Sequence, residues 1–278
     1  MKKRLKKALA LLLISSLTLF LAACSNAPIT NNSKGLWDGL VVLNFSRAII
    51  WLSSFFNDNY GMGIIIFTIL VRIVILPLMI YQTRSMRRTQ EIQPQLKALQ
   101  KKYSSRDQET MAKLREEQQK LYSEAGINPL AGCLPLIVQM PVLFALYQSI
   151  WRTDILRSGK FMWLSLGHPD PYFVLPVLAA LFTFLSSWLM MKGQPESNSM
   201  TIMMTWGMPV MIFFMAFSLP SALSLYWVVT NLFQVGQTLA IQNPWKINRE
   251  RREKQAEQRA QQRKVKKAIR RAKRSKRK

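Results

Sequence analysis

The chain has 278 residues, of which 49% are hydrophobic, and carries 39 Lys+Arg against 14 Asp+Glu for a net charge of +25. That joint excess of apolar and basic residues is unusual for a soluble domain and fits an all-α polytopic membrane protein with basic loops. With only Cys24 and Cys133 there is no zinc cluster or CxxC pair, and no metal or cofactor is expected.

Residues 1–23 read as a targeting segment. Lys2, Lys3, Arg4, Lys6 and Lys7 form a basic n-region, and Ala8–Leu21 is an apolar h-region too short for a comfortable span. Leu21-Ala22-Ala23-Cys24 follows and resembles a bacterial lipobox, in which cleavage precedes a cysteine that carries a diacylglyceryl group. The bland alternative is an ordinary signal peptide with a chance cysteine. On the lipobox reading Cys24 is the lipidation site and the mature chain starts there, outside the cytoplasm. Cys133 lies in an apolar stretch and reads as a small packing residue.

Residues 24–59 read as a lipid-anchored linker and an interfacial helix. Leu36–Phe56 is apolar, yet it carries Asp38, Asn44 and Arg47 with Trp37 and Trp51, which suits a helix lying in the membrane surface. Residues 60–245 read as a five-helix membrane core. Its first span, Gly61–Tyr81, places Arg72 about 16 Å in, near the midplane. A charge there costs at least about 2.5–3.5 kcal/mol, and arginine cannot escape by losing its proton. No Asp or Glu lies inside any of the five spans. Arg72 therefore needs water, a polar partner or a cavity.

Residues 83–127 are polar with helical spacing. A turn at Lys101–Asp107 makes them an antiparallel helical hairpin. A second span opens at Asn128-Pro129 and ends near Trp151, and Tyr172–Met191 is a third. The only histidine, His168, falls in a polar loop between them and reads as solvated. The apolar stretch Met200–Ile241 is too long for one span, and Ser218-Leu219-Pro220-Ser221 divides it into a fourth and a fifth. Residues 246–278 read as a basic tail, disordered or helical only when bound. From Trp245 on there are 17 Lys/Arg against 3 Glu.

Orientation follows from charge. The linker, the interfacial helix and the loop after the second span hold five basic residues, while the hairpin, the next loop and the tail hold 28. The positive-inside rule puts hairpin and tail in the cytoplasm and the N-terminus outside. The lipobox demands the same, and only an odd number of spans satisfies both.

Thr68, Arg72, Met79 and Thr83 share one face of the first span. On the last span Ser224, Trp227, Asn231, Gln234 and Thr238 recur at steps of three and four. Gln139 and Gln148 on the second span, and Thr183, Ser186 and Ser187 on the third, add polar groups. Taken singly, such residues most often bond between helices. Two stripes beside an unpaired arginine suggest a hydrated groove. The fourth span, rich in Met203, Met204, Met208, Met211 and Met215, is either a surface for variable apolar partners or ordinary packing.

Asn128-Pro129, Gly132-Cys133-Leu134-Pro135 and Gln139-Met140-Pro141-Val142-Leu143-Phe144-Ala145-Leu146-Tyr147 resemble the second membrane helix of the YidC/Oxa/Alb insertases. Leu219-Pro220-Ser221-Ala222-Leu223-Ser224-Leu225-Tyr226-Trp227 resembles the start of that family's last helix, with Ala222 where the family usually has glycine. Arg72 sits where the Gram-positive members carry their groove arginine, the lipobox matches their lipoprotein branch, and the resemblance covers roughly Leu36 to Trp245. It implies a non-enzymatic insertase of the bacterial cell membrane. Such a protein acts on nascent membrane proteins without nucleotide hydrolysis, alone or beside the Sec translocon, through a groove open to the cytoplasm and the lipid. The basic tail suits ribosomal phosphates or the anionic lipid surface. From another class, a small transporter or anion channel would use Arg72 as its substrate site, although no inverted repeat supports it. A membrane enzyme lacks an intramembrane acid or a base near Cys133.

Overall fold

The computed structural model describes residues 27–105, 107–127, 134–195 and 199–275. The lipobox with Cys24, and Asn128-Pro129 with Gly132-Cys133, lie outside the described residues. The fold is mostly helical. A π-helical turn, Asp38–Val42, runs into α1 (Leu43–Ser54). Then come α2 (Tyr60–Glu91), α3 (Gln93–Lys102), α4 (Gln108–Glu124), α5 (Leu134–Arg152) and the short α6 (Asp154–Arg157). A two-stranded hairpin, β1 (Lys160–Phe161) with β2 (Leu164–Ser165), precedes α7 (Val174–Lys192), α8 (Ser199–Ser218), α9 (Ser221–Ile241) and α10 (Pro244–Ser275).

Among the described residues, three helical stretches are long and apolar enough to cross a bilayer: Tyr60–Glu91, Val174–Lys192 and Thr201–Ser218. At 21 residues α9 reaches about 31 Å, but Asn231, Gln234 and Gln237 dilute its apolar character. Helix α2 does not stop at the end of its apolar part. It continues to Glu91, and α3 and α4 fold back beyond it, with Ile92, Leu96 and Ile127 buried between them. Asp107 caps α4 by accepting from Thr110 N at 2.7 Å. Hydrogen bonds from Ser105 and Thr110 hold its carboxyl well below the usual carboxylate range.

The apolar core is concentrated at one end of the bundle, where α2, α7 and α9 begin and α5 finishes. Ile49, Ile64, Leu146, Ile150, Leu166, Ala179 and Ala222 are all but fully buried there. The β-hairpin roofs it: Gly61 lies against Phe161, and Ser221 N and Ala222 N donate to His168 O and Leu166 O. Ala222 is fully buried, so the methyl fits where the α8–α9 reversal is tight. Asp170 holds the loop by accepting from Trp163 Nε1, Tyr172 N and Leu175 N.

Helix α1 crosses α2 at close range, and Phe45 meets Phe67 edge to face at 4.9 Å. Its start is clamped to the end of α5. Arg152, 5% exposed, forms a bidentate pair with Asp38 at 2.6 and 2.9 Å. The same guanidinium donates to Gln148 Oε1 and to Ala27 O, while Ile29 N bonds Arg152 O. Paired charges are what make such burial tolerable.

The terminal segment differs from the sequence expectation of a tail ordered only on binding: it is one continuous helix, α10. Its Arg, Lys, Gln, Glu and Ala are good helix formers, and Arg249 pairs with Glu253 one turn on.

Close crossing at Gly63 yields a stability prediction. A Cβ there would sit 2.7 Å from Ile49 O and 2.1 Å from Ser53 Oγ. Gly63→Ala should force α1 away from α2 and destabilise the protein by about 1–3 kcal/mol. Thermal unfolding of purified protein followed by circular dichroism should show a lower Tm than the parent, and an unchanged Tm would mean that α1 does not depend on this crossing.

Candidate functional site

Arg72 lies twelve residues into α2, directly beneath the roofed core, and is 6% exposed. No carboxylate is paired with it among the described residues. Its Nη2 donates to Gln139 Oε1 on α5 at 3.0 Å. Arginine is only a donor, so the amide oxygen must face it, which turns Gln139 Nε2 toward the Tyr226 hydroxyl on α9, where it donates. Three helices thus meet through one guanidinium, one amide and one phenol. Arg72 has five N–H donors, so most of its fork stays available for another acceptor.

The other predicted residues fall into distinct settings. Thr68, 1% exposed, lies one turn nearer the roof and donates to Ile64 O. Thr183 and Thr238 likewise donate to the carbonyls of Ala179 and Gln234, and Ser186 donates to Thr183 O. Such self-satisfied hydroxyls need no partner on another helix and keep their acceptor lone pairs free. Ser187 is half-buried on α7. Ser224, 1% exposed, bonds Ala216 O across the α8–α9 reversal and so serves the turn. Trp227 and Asn231 are half-buried, with Asn231 Nδ2 donating to Trp227 O, and Gln234 is half-buried one turn further. Gln148, a further polar residue of α5, belongs to the Arg152 clamp at the roofed end.

Sequence reasoning missed a second set. Tyr226, Thr230 and Gln237 recur on α9 at steps of four and seven, beside the stripe singled out above. The same spacing rule puts them on one face of the helix but does not say what that face meets. Thr230 Oγ1, Gln237 Oε1 and both amide atoms of Gln82 are buried with no hydrogen-bond partner among the described residues. Gln82 lies about 15 Å beyond Arg72 along α2, and Gln237 about 16 Å beyond Tyr226 along α9. Arg72 and Tyr226 are joined at one level through Gln139, so the two amides lie at similar depth. Just past them a cleft opens between Thr83, Met86, Leu189, Thr238 and Ile247.

The site is therefore asymmetric. Toward the roof the bundle is a packed apolar core, apart from Thr68, whose hydroxyl is bonded within its own helix. Away from it, the same interface carries amides and hydroxyls.

Comparison with known proteins gives this arrangement its family. The profile of the 60Kd inner membrane protein family matches residues 51–250. The chain is 61% identical over 254 residues to a protein of Pediococcus pentosaceus named membrane protein insertase YidC, covering 91% of each. It is 59% identical to membrane protein insertase YidC 2 of Lactiplantibacillus plantarum, again over 91% of each, and 53% identical to the YidC protein of Enterococcus faecalis over 90% of each. A crystal structure described as an active YidC insertase with its first transmembrane domain resolved superposes with a TM-score of 0.58 at 29% identity. That match covers 73% of this chain and 46% of that one, so the chain spans under half of the structural neighbour's length. The chain belongs to the 60Kd inner membrane protein family, the family of the YidC insertases.

Proposed function

We propose that this protein inserts nascent membrane proteins into a bacterial cell membrane, through a hydrated, positively charged groove centred on Arg72. The observation that carries the reading is a buried arginine held by neutral oxygens, Gln139 and through it Tyr226, beneath a sealed apolar roof. A fixed positive charge at the blind end of a polar path suits brief capture of an acidic segment, which a low-dielectric setting strengthens.

In this reading α2, α5, α7, α8 and α9 are the five spans. The roof and α1 face outside, and the α3–α4 hairpin and α10 face the cytoplasm. Cys24 carries the lipid anchor and the hairpin receives the client. Thr68, Ser186, Ser187, Trp227, Asn231, Gln234 and Thr238 keep the path polar, while Ser224 holds its closed end. The Gln82 amide and Gln237 Oε1, which lack a partner among the described residues, favour a wet path, because a buried unsatisfied polar group costs about 1–3 kcal/mol unless water or a client pairs with it. The client's polar end travels part-way along the path. Its apolar helix then leaves past exposed methionines such as Met203, Met204 and Met211 into lipid, and burial of that helix supplies the driving force. The basic end of the chain holds the ribosome, and the Sec translocon is a further partner.

Two experiments test this. In complementation of a depletion strain, Arg72→Ala should lose activity and Arg72→Lys should keep much of it. Gln139→Glu should depress insertion of clients with acidic tails in particular, since it gives Arg72 a permanent carboxylate partner. Full activity of Arg72→Ala for such clients would refute the electrostatic account.

Water in the path can be read by thiol chemistry. With Cys24 intact and Cys133→Ser, single cysteines at Gln234 or Thr238 should react with membrane-impermeant reagents from the cytoplasmic side alone, because only an ionised thiol reacts. Cysteines at Val228, within the core, or at the lipid-facing Leu232 should not. Labelling from both sides would indicate a channel and favour transport. If a functional protein labelled at neither stripe position, the path would be dry.

A further inference from the structure

Helix α10 changes character within a few residues. Pro244 and Ile247 are buried, and Asn248, Glu250 and Arg251 are half-buried, whereas every residue from Arg252 to Ile269 is exposed. The first part is fastened by four contacts to two other helices. Asn248 Nδ2 donates to Lys192 O at 2.7 Å, and Arg251 Nη2 donates to Gly193 O at 2.9 Å. These two side chains cap the C-terminal end of α7, where carbonyls lack helical partners and a cation complements the helix dipole. Arg251 is itself braced by Asn248 Oδ1, and burial pulls its guanidinium below its ordinary pKa. Arg87 on α2 reaches Glu250 at 3.3 Å, and Ile247 enters the cleft beside Met86 and Leu189.

The exposed part has a basic face. Arg252, Arg259, Arg263 and Lys267 line one shallow surface, with the small Ala256 and Ala260 between them. At 3.6 residues per turn this face lies on the side of the helix away from Ile247, Glu250 and Arg251. The contacts that fasten the helix and the charges that would bind a partner therefore do not compete.

We infer that α10 is a docked bracket. Its first two turns are latched onto α2 and α7 at the cleft, and they hold a phosphate-binding face in fixed orientation over the open end of the insertion path. The polyanion is ribosomal RNA, a clause that rests on the insertase reading. The latch itself rests only on the contacts above.

The test uses the full-length protein with Cys24 intact and Cys133→Ser. A disulfide between Met86→Cys and Ile247→Cys should form in membranes and leave co-translational insertion unchanged. If that cross-link blocks insertion until it is reduced, α10 must move away and the bracket is wrong. The triple variant Asn248→Ala, Glu250→Ala, Arg251→Ala should pellet with ribosomes as the parent does. It should insert co-translational clients about tenfold less well, because an unlatched tether presents the partner at lower effective concentration. Post-translational insertion should not change. Equal co-translational activity in this variant overturns the latch. The variant Arg259→Glu, Arg263→Glu, Lys267→Glu should lose ribosome binding in the absence of lipid and flatten its salt dependence. If it binds ribosomes normally, or if the parent binds anionic vesicles but not ribosomes, the ribosomal clause falls while the cross-link still decides the latch.

Discussion

A guanidinium that cannot give up its proton, set in an apolar bundle with no carboxylate partner among the described residues, has to be held by neutral oxygens. Gln139 does this for Arg72 and passes the constraint to Tyr226. An aspartate in place of Gln139 would solvate the charge better and also consume it. An amide leaves the positive charge formally unpaid and most of the donor fork open. The arrangement thus keeps a buried positive charge that no carboxylate neutralises among the described residues. It also fixes the relation of α2, α5 and α9, since one hydrogen-bonded chain spans all three.

The placement of apolar packing follows the same logic. In lipid there is little hydrophobic force between helices, so close contact at small residues and hydrogen bonds must hold them. At the roofed end Gly61 and Gly63 let Phe161 and α1 approach, Ala179 and Ala222 keep neighbouring helices close, and the Arg152–Asp38 pair ties the N-terminal segment down. Past Arg72 such packing gives way to Gln82, Thr230, Gln237 and Thr238. One end is built to stay shut, and the other carries groups that gain from water or from a polar chain.

Charge is divided along the molecule as well. At the roofed end the three arginines make internal contacts: Arg152 with Asp38, Arg157 over the Trp151 ring, Arg47 with Asn31. The far end has far more of them, and most stay exposed. Where α10 leaves the core, Arg87, Glu250 and Arg251 form the boundary between charge used to fold and charge left for a partner.

The sequence by itself determined the class, most of the helices and the place of Arg72 within an apolar helix. These are one-dimensional properties: the length of apolar runs, the step of polar residues along a helix, and a charge where no acid is near. The lipobox is a local motif that the sequence alone suggests, and it lies outside the described residues. Only the tertiary structure decided which helices share the arginine. Gln139 stood out as polar in an apolar span, but Tyr226 read as part of a motif, because nothing in its spacing tells which face meets α5. Ser224 matched the polar stripe by period, yet the reversal of α8 into α9 turns its hydroxyl to Ala216. The tail was the largest difference. Composition sees only its charge, whereas docking depends on whether the carbonyls of Lys192 and Gly193, some fifty residues earlier, end up beside Asn248 and Arg251. Periodicity fixes the face on which a residue lies. What that face meets is set by contacts between distant parts of the chain, and these exist only once the helices have packed.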